Sequence, residues 1–253
     1  VENKKEKLED FKTAISSTVR SLSNSEKIEV FFGNQVSKTD KNVIRLPDLQ
    51  SISDKINYEE IRAIADSKSL RLRFSNKEIF KKYEPDGNIS KKLYEISEKI
   101  RCERIGTSYF KGVKDNIEKF YQKRISNLDL KSSEDKIIES FENFLRIKFL
   151  EFKNVSSVEK KLKSYKKDVD EQFKNKIAEL KEKAFNQDKY NALVSEIISN
   201  MSLDENIDEV EKKDDESNKK DKQSKPENQE QKAHEKEQIH DEMSIDSGVP
   251  DLE

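Results

Sequence analysis

The chain has 253 residues, of which 40% are charged and only 32% hydrophobic, so one or two domains with wide solvated faces or a long unfolded part are expected. The net charge of −2 hides an asymmetry, because residues 201–253 hold 18 acidic and 8 basic side chains while residues 1–200 carry a net charge of +8. A single cysteine excludes a disulfide framework, and no run approaches the roughly 18 apolar residues of a membrane span, so a reduced, cytoplasmic setting is expected.

The first predicted elements are a helix and two short strands. Apolar residues recur at spacings of three and four over residues 5–22, which predicts an amphipathic helix. Residues 27–33 and 43–46 predict short strands, and Pro47 closes the second strand. The polar residues 34–42 predict a long turn that joins the two strands as a β-hairpin.

A longer helix and a short capped helix follow. Residues 58–74 predict a helix, although the alternation over residues 70–74 leaves a strand possible there. The helix is favoured because no turn signal divides the segment. Ser75-Asn76 can cap a short helix that ends near Tyr83, and residues 84–88 have the composition of a turn.

A helix, a turn and a second helix are predicted between residues 93 and 125. The first apolar face ends at Ile105, and a second apolar face starts at Phe110. Gly106 can take positive φ, so it is predicted to end the first helix. Gly112 falls inside the second helix, where glycine costs about 1 kcal/mol relative to alanine, so another backbone is expected to pack close to it.

Ionisable side chains crowd this region. Glu98 and Arg101 are three residues apart and can pair along one helix surface, with Glu103 and Arg104 beside them. The cluster either docks a partner or substrate, or forms an internal salt-bridge network that fixes two helices, and the internal network is favoured. Asn116 is expected to cap or clamp a backbone turn. Since buried arginines need partners, the further members expected in this network are Arg62, Asp66, Arg71 and Arg73.

The remaining predicted elements are helices. Ser132 begins a helix that reaches about Phe152 and is apolar enough to be central to the core. A long helix follows over residues 156–183, and its interrupted heptad favours a helical hairpin or packed arm over an autonomous coiled coil. A last helix begins after Gln187.

From Leu203 onward the chain becomes polar and acidic, and such a segment cannot bury enough apolar area to fold. The predicted domains are therefore a helical domain over residues 1–200 and a disordered acidic low-complexity linker or tail over residues 201–253. The fold class is mainly α, with a small two-stranded hairpin and a long helical arm. His234 and His240 are candidates only for weak metal capture.

The run from Glu98 to Asn116 resembles the N-terminal region of the CobT subunit of aerobic cobaltochelatase. The family pattern is roughly E-x-x-R-x-E-x-x-G, five residues, then G-V-x-x-N. An upstream family run, R-G-x-A-D followed by L-R-L-R, is matched except that Ala63 replaces its glycine, and Phe74-Ser75 lacks the histidine often found next in the family. The matching residues are Arg62, Asp66, Arg71, Arg73, Glu98, Arg101, Glu103, Gly106, Gly112, Val113 and Asn116.

This resemblance implies an adaptor in an ATP-dependent complex that inserts cobalt into hydrogenobyrinic acid a,c-diamide during cobalamin biosynthesis. The implied partners are an AAA+ ATPase ring of the CobS type and a large tetrapyrrole-binding subunit of the CobN type. ATP, magnesium and cobalt are implied for the complex, and no cofactor is expected on this chain. Family members also carry a von Willebrand factor A-type domain after an acidic linker, and the sequence contains no such domain.

No residue is nominated as catalytic or as a metal ligand, because the sequence has no glycine-rich phosphate loop, paired-histidine motif or recognisable catalytic triad. Whether the chain is itself an enzyme is therefore open. Cys102 is interpreted as a small core residue. Two alternative functions remain: a related AAA+ complex with another metal or substrate, and a basic nucleic-acid-binding domain with an acidic autoinhibitory tail. Nucleic acid is disfavoured because the aromatic residues follow apolar stripes, and no membrane partner is expected.

Overall fold

The computed structural model describes residues 2–33, 42–48, 58–127, 132–153, 169, 171–201 and 203. This part of the chain is mainly α, which confirms the predicted fold class. The predicted acidic tail from residue 204 onward, which includes His234 and His240, and half of the predicted helix 156–183 lie outside the described residues. The elements are α1 (Glu2–Ser23), β1 (Glu29–Phe32), β2 (Val43–Leu46), α2 (Tyr58–Phe74), α3 (Lys77–Lys82), α4 (Asn88–Tyr109), α5 (Lys111–Ser126), α6 (Ser133–Lys148), α7 (Ile177–Lys183) and α8 (Gln187–Ser199).

Helix α4 lies at the centre of the larger hydrophobic cluster, where α5, α6 and α8 pack around it. Buried aromatic side chains fill this cluster, among them Tyr94, Phe141 and Tyr190. A smaller cluster forms between α1, the strands and α2, around residues such as Ile15 and Ile61. Helix α2 contacts α4 and α5 as well as α1, so it joins the two clusters.

Several helix starts follow directly from local sequence. The Asn76 side chain accepts a hydrogen bond from the Ile79 amide and starts α3, as predicted. Ser132 starts α6 with a capping box, in which its hydroxyl accepts from the Asp135 amide and the Asp135 carboxylate accepts from the Ser132 amide. Asn186 caps α8 in the same manner as Asn76. These side chains satisfy amide groups that helix starts leave unpaired.

The predicted β-hairpin is wrong, because β1 and β2 pair in parallel, with Glu29 opposite Val43 and Phe32 opposite Leu46. Each strand is only four residues long, so a connection of about ten residues can lead back to the start of the pair. Gly33 and Asn42, at the two ends of this connection, both have positive φ. Positive φ is the left-handed backbone conformation that turns favour, and glycine and asparagine adopt it more readily than other residues.

The predicted long helix does not continue unbroken to Lys183. A turn at residues 174–176 precedes α7, and the Lys176 amide donates to the Phe173 carbonyl over 2.9 Å. The apolar positions Phe173 and Leu180 are both fully buried across this turn. The spacing of apolar residues thus identified the buried positions but not the interruption between them.

Neither Gly106 nor Gly112 has its predicted role. Helix α4 runs through Gly106 and ends at Tyr109, so the prediction that Gly106 terminates the helix is wrong. A Cβ at Gly106 would lie 2.8 Å from Leu70 Cγ, because α2 and α4 cross closely there. No described atom lies within 4 Å of the corresponding position at Gly112, so the close packing predicted at Gly112 is also wrong. Among the described helices, none is long and apolar enough to cross a membrane.

Candidate functional site: a buried charged network

Glu98 and Arg101 form a buried ion pair within α4. The Arg101 Nε and Nη2 groups donate to the two carboxylate oxygens of Glu98, each over 2.8 Å. Both side chains are almost completely excluded from solvent. The Ser75 hydroxyl donates to the same carboxylate over 2.6 Å. A bidentate guanidinium–carboxylate pair with an additional donor is the arrangement that a buried charge needs to be tolerated.

Arg101 also ties two helix ends to α4. Its Nη2 group donates to the carbonyl of Phe74, the last residue of α2, over 2.6 Å. Its Nη1 group donates to the carbonyl of Ala184, which follows α7, over 2.9 Å. Carbonyl groups at helix C-termini lack helical partners and carry partial negative charge. Glu98 and Arg101, two residues of the predicted charged cluster, thus tie α2, α4 and the end of α7 together.

A second buried cluster joins α4 to α6 and α2. Arg146 donates through Nη1 to Glu103 over 2.8 Å and through Nε to Glu142 over 2.8 Å. The other Glu103 oxygen accepts a hydrogen bond from the Ser67 hydroxyl over 2.6 Å. Glu103 and Arg146 have no solvent-exposed side-chain surface. Glu103 therefore lies inside the body of the protein and is not presented to a partner.

Helix α5 enters the same cluster through Arg124, whose guanidinium donates to Glu139 over 2.8 Å and to Glu142 over 2.7 Å. Lys99 completes the cluster with its Nζ atom 3.9 Å from Glu142. The formal charges balance, with three carboxylates opposite three cations. The members of this buried network are Lys99, Glu103, Arg124, Glu139, Glu142 and Arg146.

For both Lys99 and Glu142, burial and the neighbouring opposite charges shift the pKa in opposite directions. Burial lowers the pKa of Lys99 to about 8, and the opposing attraction of Glu142 does not restore its ordinary value. Burial also acts to raise the pKa of Glu142, but Arg124, Arg146 and Lys99 together hold that pKa far below its usual range. Glu142 is consequently ionised at neutral pH. Lys99 has a pKa only slightly above neutral pH.

Asp66 and Asn116 connect α2 to α5. The Asn116 Nδ2 group donates to Asp66 over 2.8 Å, and Arg62 Nε donates to the other carboxylate oxygen over 3.2 Å. Burial raises the pKa of Asp66 even though both of these donors act to lower it. Asn116 therefore holds a side chain, whereas the sequence suggested that it caps or clamps a backbone turn.

The remaining predicted arginines, Arg71, Arg73 and Arg104, lie outside the two buried charge clusters and differ in their exposure. Arg73 is exposed at the end of α2 and donates through Nη1 to the Leu22 carbonyl over 3.2 Å. The Arg71 guanidinium lies 5.6 Å from the centre of the Phe80 ring. Arg104 donates to the Phe149 carbonyl and stacks over the ring of the same residue. Arg71 belongs to the interior, whereas Arg73 and Arg104 reach the surface.

Cys102 is fully buried in the larger hydrophobic cluster. Burial raises the pKa of its thiol, and the nearby Glu98 carboxylate raises it further. A thiol that stays protonated is a poor nucleophile and a poor metal ligand. Within the described residues, no group of three or more His, Cys, Asp or Glu side chains is arranged to hold a metal ion.

Four of the six members of the buried network come from α5 and α6 and were not predicted from the sequence, namely Arg124, Glu139, Glu142 and Arg146. The sequence does contain a signal for a buried ion pair on α6. Glu142 and Arg146 are four residues apart, and they directly follow the apolar positions Phe141 and Leu145. Charged residues this close to an apolar stripe are buried when partners face them from another helix. Finding those partners requires the packing of α6 along α4, which spacing along one helix does not give.

The described helices pack around two hydrophobic clusters, and two buried, internally balanced charge clusters join α2, α4, α5, α6 and the end of α7. This arrangement defines a mainly helical scaffold domain. The sequence model of the family described as cobalamin biosynthesis protein CobT matches residues 5–249. The match covers nearly the whole chain, so the protein belongs to this family and its role lies in cobalamin biosynthesis. No solved structure matches the chain.

Proposed function

We propose that this protein is a subunit of an ATP-dependent cobaltochelatase that inserts its substrate Co²⁺ into hydrogenobyrinic acid a,c-diamide. In this complex the helical body joins an AAA+ ATPase ring of the CobS type and couples it to a large tetrapyrrole-binding subunit of the CobN type. The observation that carries the proposal is the family match over residues 5–249. That match includes the whole motif run from Glu98 to Asn116.

The Glu98–Arg101 pair and the buried network together support the role of an adaptor. An adaptor must keep its shape while an ATPase ring acts on it, so its helices need fixed relative positions. Arg101 ties the ends of α2 and α7 to α4, and Arg146 ties α4 to α6 through charge-assisted hydrogen bonds. Such bonds are directional and short, so they fix helix registers that apolar packing alone would leave free to slide.

The proposal gives this chain a positioning role and assigns the chemistry of insertion to its partners. The carboxylates Glu98, Glu103 and Glu142 are each bonded to arginine within the body. Nucleotide hydrolysis with Mg²⁺ belongs to the ATPase ring, and tetrapyrrole binding belongs to the large subunit. Cobalt enters this account as a substrate of the complex and not as a resident metal of this chain.

The proposal is tested by association of the purified proteins. This protein is mixed with the cognate ATPase subunit, ATP and Mg²⁺, and the mixture is separated by size-exclusion chromatography at near-physiological salt. The expected result is elution of this protein with the ATPase ring. Separate elution at every nucleotide state would remove the adaptor role. Binding to DNA or RNA that falls steeply with salt would instead favour the nucleic-acid alternative.

A further inference from the structure

The junction of α4 and α5 presents a basic surface around an exposed aromatic ring. Tyr109 ends α4 with 65% of its surface exposed, which is unusual for a large hydrophobic side chain. Its ring lies against that of Phe110, with the ring centroids 6.4 Å apart, and the Arg73 guanidinium lies 5.9 Å from the Phe110 ring. We define the junction surface as Arg73, Arg104, Tyr109, Phe110, Lys111 and Lys114.

The junction surface keeps a net positive charge. Glu151 is the carboxylate on which both Arg104 and Lys114 act, and a hydrogen bond from Lys181 over 2.7 Å is the main cause that lowers the pKa of Glu151. Lys181 pairs with Glu151, and the carboxylates that α5 itself places near Lys111 and Lys114 are Asp115 and Glu118. The four cations of the junction surface therefore outnumber the two carboxylates of α5 beside them, and the surface keeps a net positive charge.

Gly112 makes the backbone beside these cations accessible. It lies in the first turn of α5 and is exposed, and no described atom comes within 4 Å of where a Cβ would be. A glycine inside a helix costs about 1 kcal/mol relative to alanine. At Gly106 the close Leu70 side chain leaves no room for a Cβ, which explains why glycine stands there. Packing among the described residues gives no such reason at Gly112, so the open backbone suits close approach by another segment.

We propose that residues 239–253 of this same chain bind the junction surface. This segment contains five acidic residues and no Lys or Arg, so its charge complements that of the junction surface. It also supplies apolar side chains that can cover the rings of Tyr109 and Phe110. These apolar residues are Ile239, Met243, Ile245, Val249 and Leu252. The inference concerns contact within one chain and does not depend on the cobaltochelatase role.

The length of chain after α8 favours residues 239–253 over the acidic run 204–211 as the segment that covers the junction surface. Helix α8 is antiparallel to α4, because Ala184 contacts Arg101 while Tyr190 contacts Ser97. The helical rise then places the end of α8 roughly 30 Å from Tyr109. Residue 204 is the fifth residue after Ser199, and five extended residues span at most about 18 Å, so the first half of this run cannot reach the junction surface. The linker of about 35 residues that precedes Ile239 has a root-mean-square span of roughly 33 Å, which is sufficient.

Photo-crosslinking of the full chain tests the contact. A benzophenone amino acid replaces Tyr109 in one sample and, as a matched control, replaces Tyr58, which is 42% exposed at the start of α2. Equal amounts of ¹⁴N- and ¹⁵N-labelled protein are mixed before irradiation, and crosslinked peptides are identified by mass spectrometry. We expect the Tyr109 probe to capture residues 239–253 in pairs of one isotope. The Tyr58 probe is expected to capture this segment several-fold less.

The isotope labelling distinguishes contact within one chain from contact between two copies of the chain at the junction surface. Peptide pairs of mixed isotope would assign the junction surface to a second copy of the chain and would overturn the proposal. Capture of a different segment of the same chain, or no capture by the Tyr109 probe, would also overturn it. Unchanged circular dichroism of the probe-bearing protein establishes that each result comes from folded material.

Charge reversal tests the chemistry of the contact. The variant K111E/K114E is expected to lower capture by the Tyr109 probe about fivefold, because each surface cation contributes modestly and two of them are reversed together. Adding D241K/E242K/D246K to that variant is expected to restore capture. The control K5E/K7E changes two exposed lysines of α1 and is expected to leave capture unchanged. Failure of the swapped charges to restore capture would contradict electrostatic recognition.

Discussion

At the scale of single residues, the clearest contrast is between Gly106 and Gly112. Gly106→Ala would force a methyl group into the side chain of Leu70, which is fully buried and cannot move aside freely. We expect a loss of about 1–3 kcal/mol in the free energy of unfolding, the usual cost of overpacking a core. Gly112→Ala is expected to gain about 0.5–1 kcal/mol, because it removes the entropy cost of glycine at an open helical position.

Urea denaturation of the two variants measures both effects. The double variant Leu70→Ala with Gly106→Ala serves as the control, since removal of the leucine methyl groups makes room for the new one. Its loss should be smaller than the sum of the two single losses. Equal stabilities of Gly106→Ala and Gly112→Ala would show that the close approach of α2 to α4 is not real.

Lys99 gives a prediction about pH. Burial lowers its pKa from an ordinary value near 10.5 to about 8, so between these two values the unfolded chain binds more protons than the folded chain. Stability must then rise with pH across this window, and below pH 8 the buried cation imposes its full cost. The expected gain relative to Lys99→Met is about 3 kcal/mol between pH 8 and pH 10.5.

The comparison with Lys99→Met is necessary because other buried groups act in the opposite direction. Burial raises the pKa values of Cys102 and Tyr121, so these groups lower stability as the pH rises. Their contributions cancel when the unfolding curves of the two proteins are subtracted at each pH. A difference that stays constant from pH 8 to pH 10.5 would mean that Lys99 remains charged in the folded protein. Glu103, Arg124, Glu142 and Arg146 are the charged groups that face Lys99.

At the scale of secondary-structure elements, Arg101 connects three helices. Arg101→Lys keeps the charge but loses the planar fork that reaches Glu98 and the carbonyls of Phe74 and Ala184 together. We expect a loss of about 2 kcal/mol. Amide hydrogen exchange should also become faster in α7 and at the start of α8, where the tie is lost. Exchange that accelerates equally in all helices would contradict a local tie.

Two ion pairs between the same helices allow a matched test of burial. Arg146 joins α6 to Glu103 of α4 in the interior, whereas Glu134 of α6 meets Lys92 of α4 near the surface. Arg146→Ala is expected to cost about 3–5 kcal/mol, since it leaves buried carboxylates unpaired. Lys92→Ala is expected to cost at most about 1 kcal/mol. Thermal and urea unfolding measure both, and similar losses would show that solvent reaches the interior pair.

Local sequence signals predicted most element positions. The bounds of α2 agree with the apolar spacing, and the caps at Asn76 and Ser132 agree with local side-chain chemistry. The parallel pairing of β1 and β2 was not predictable in this way, because the connection between them permits either direction. Pairing direction depends on how both strands pack on α1 and α2, which is information that no single segment contains.

The same limit applies to the candidate site, where contacts within one helix were predictable and contacts between helices were not. Glu98 and Arg101 lie on one helix at a pairing distance, so the sequence identified them together. Glu103 and Arg146 are 43 positions apart, and only the alignment of α4 with α6 brings them together. The role of Gly106 likewise depends on Leu70 of another helix. Residues whose partners are distant in sequence could be nominated, but their partners could not be assigned.

At the scale of the whole molecule, charge is divided between two parts of the chain. Residues 1–200 carry a net charge of +8, and the following residues carry a net charge of −10. The buried network contributes nothing to this imbalance because its charges cancel. The net positive charge of residues 1–200 therefore comes from outside the network, and the junction surface is one place where it collects. Partner binding and contact with the acidic segment are expected to depend on ionic strength for this reason.

The measurement that tests the central claim most directly is cobalt insertion by the reconstituted complex. The ATPase subunit and the tetrapyrrole-binding subunit are incubated with hydrogenobyrinic acid a,c-diamide, Co²⁺, ATP and Mg²⁺, with and without this protein. The account predicts that insertion, followed by the absorption change of the tetrapyrrole, requires this protein. Insertion at the same rate in its absence would contradict the proposed role as a subunit of the chelatase.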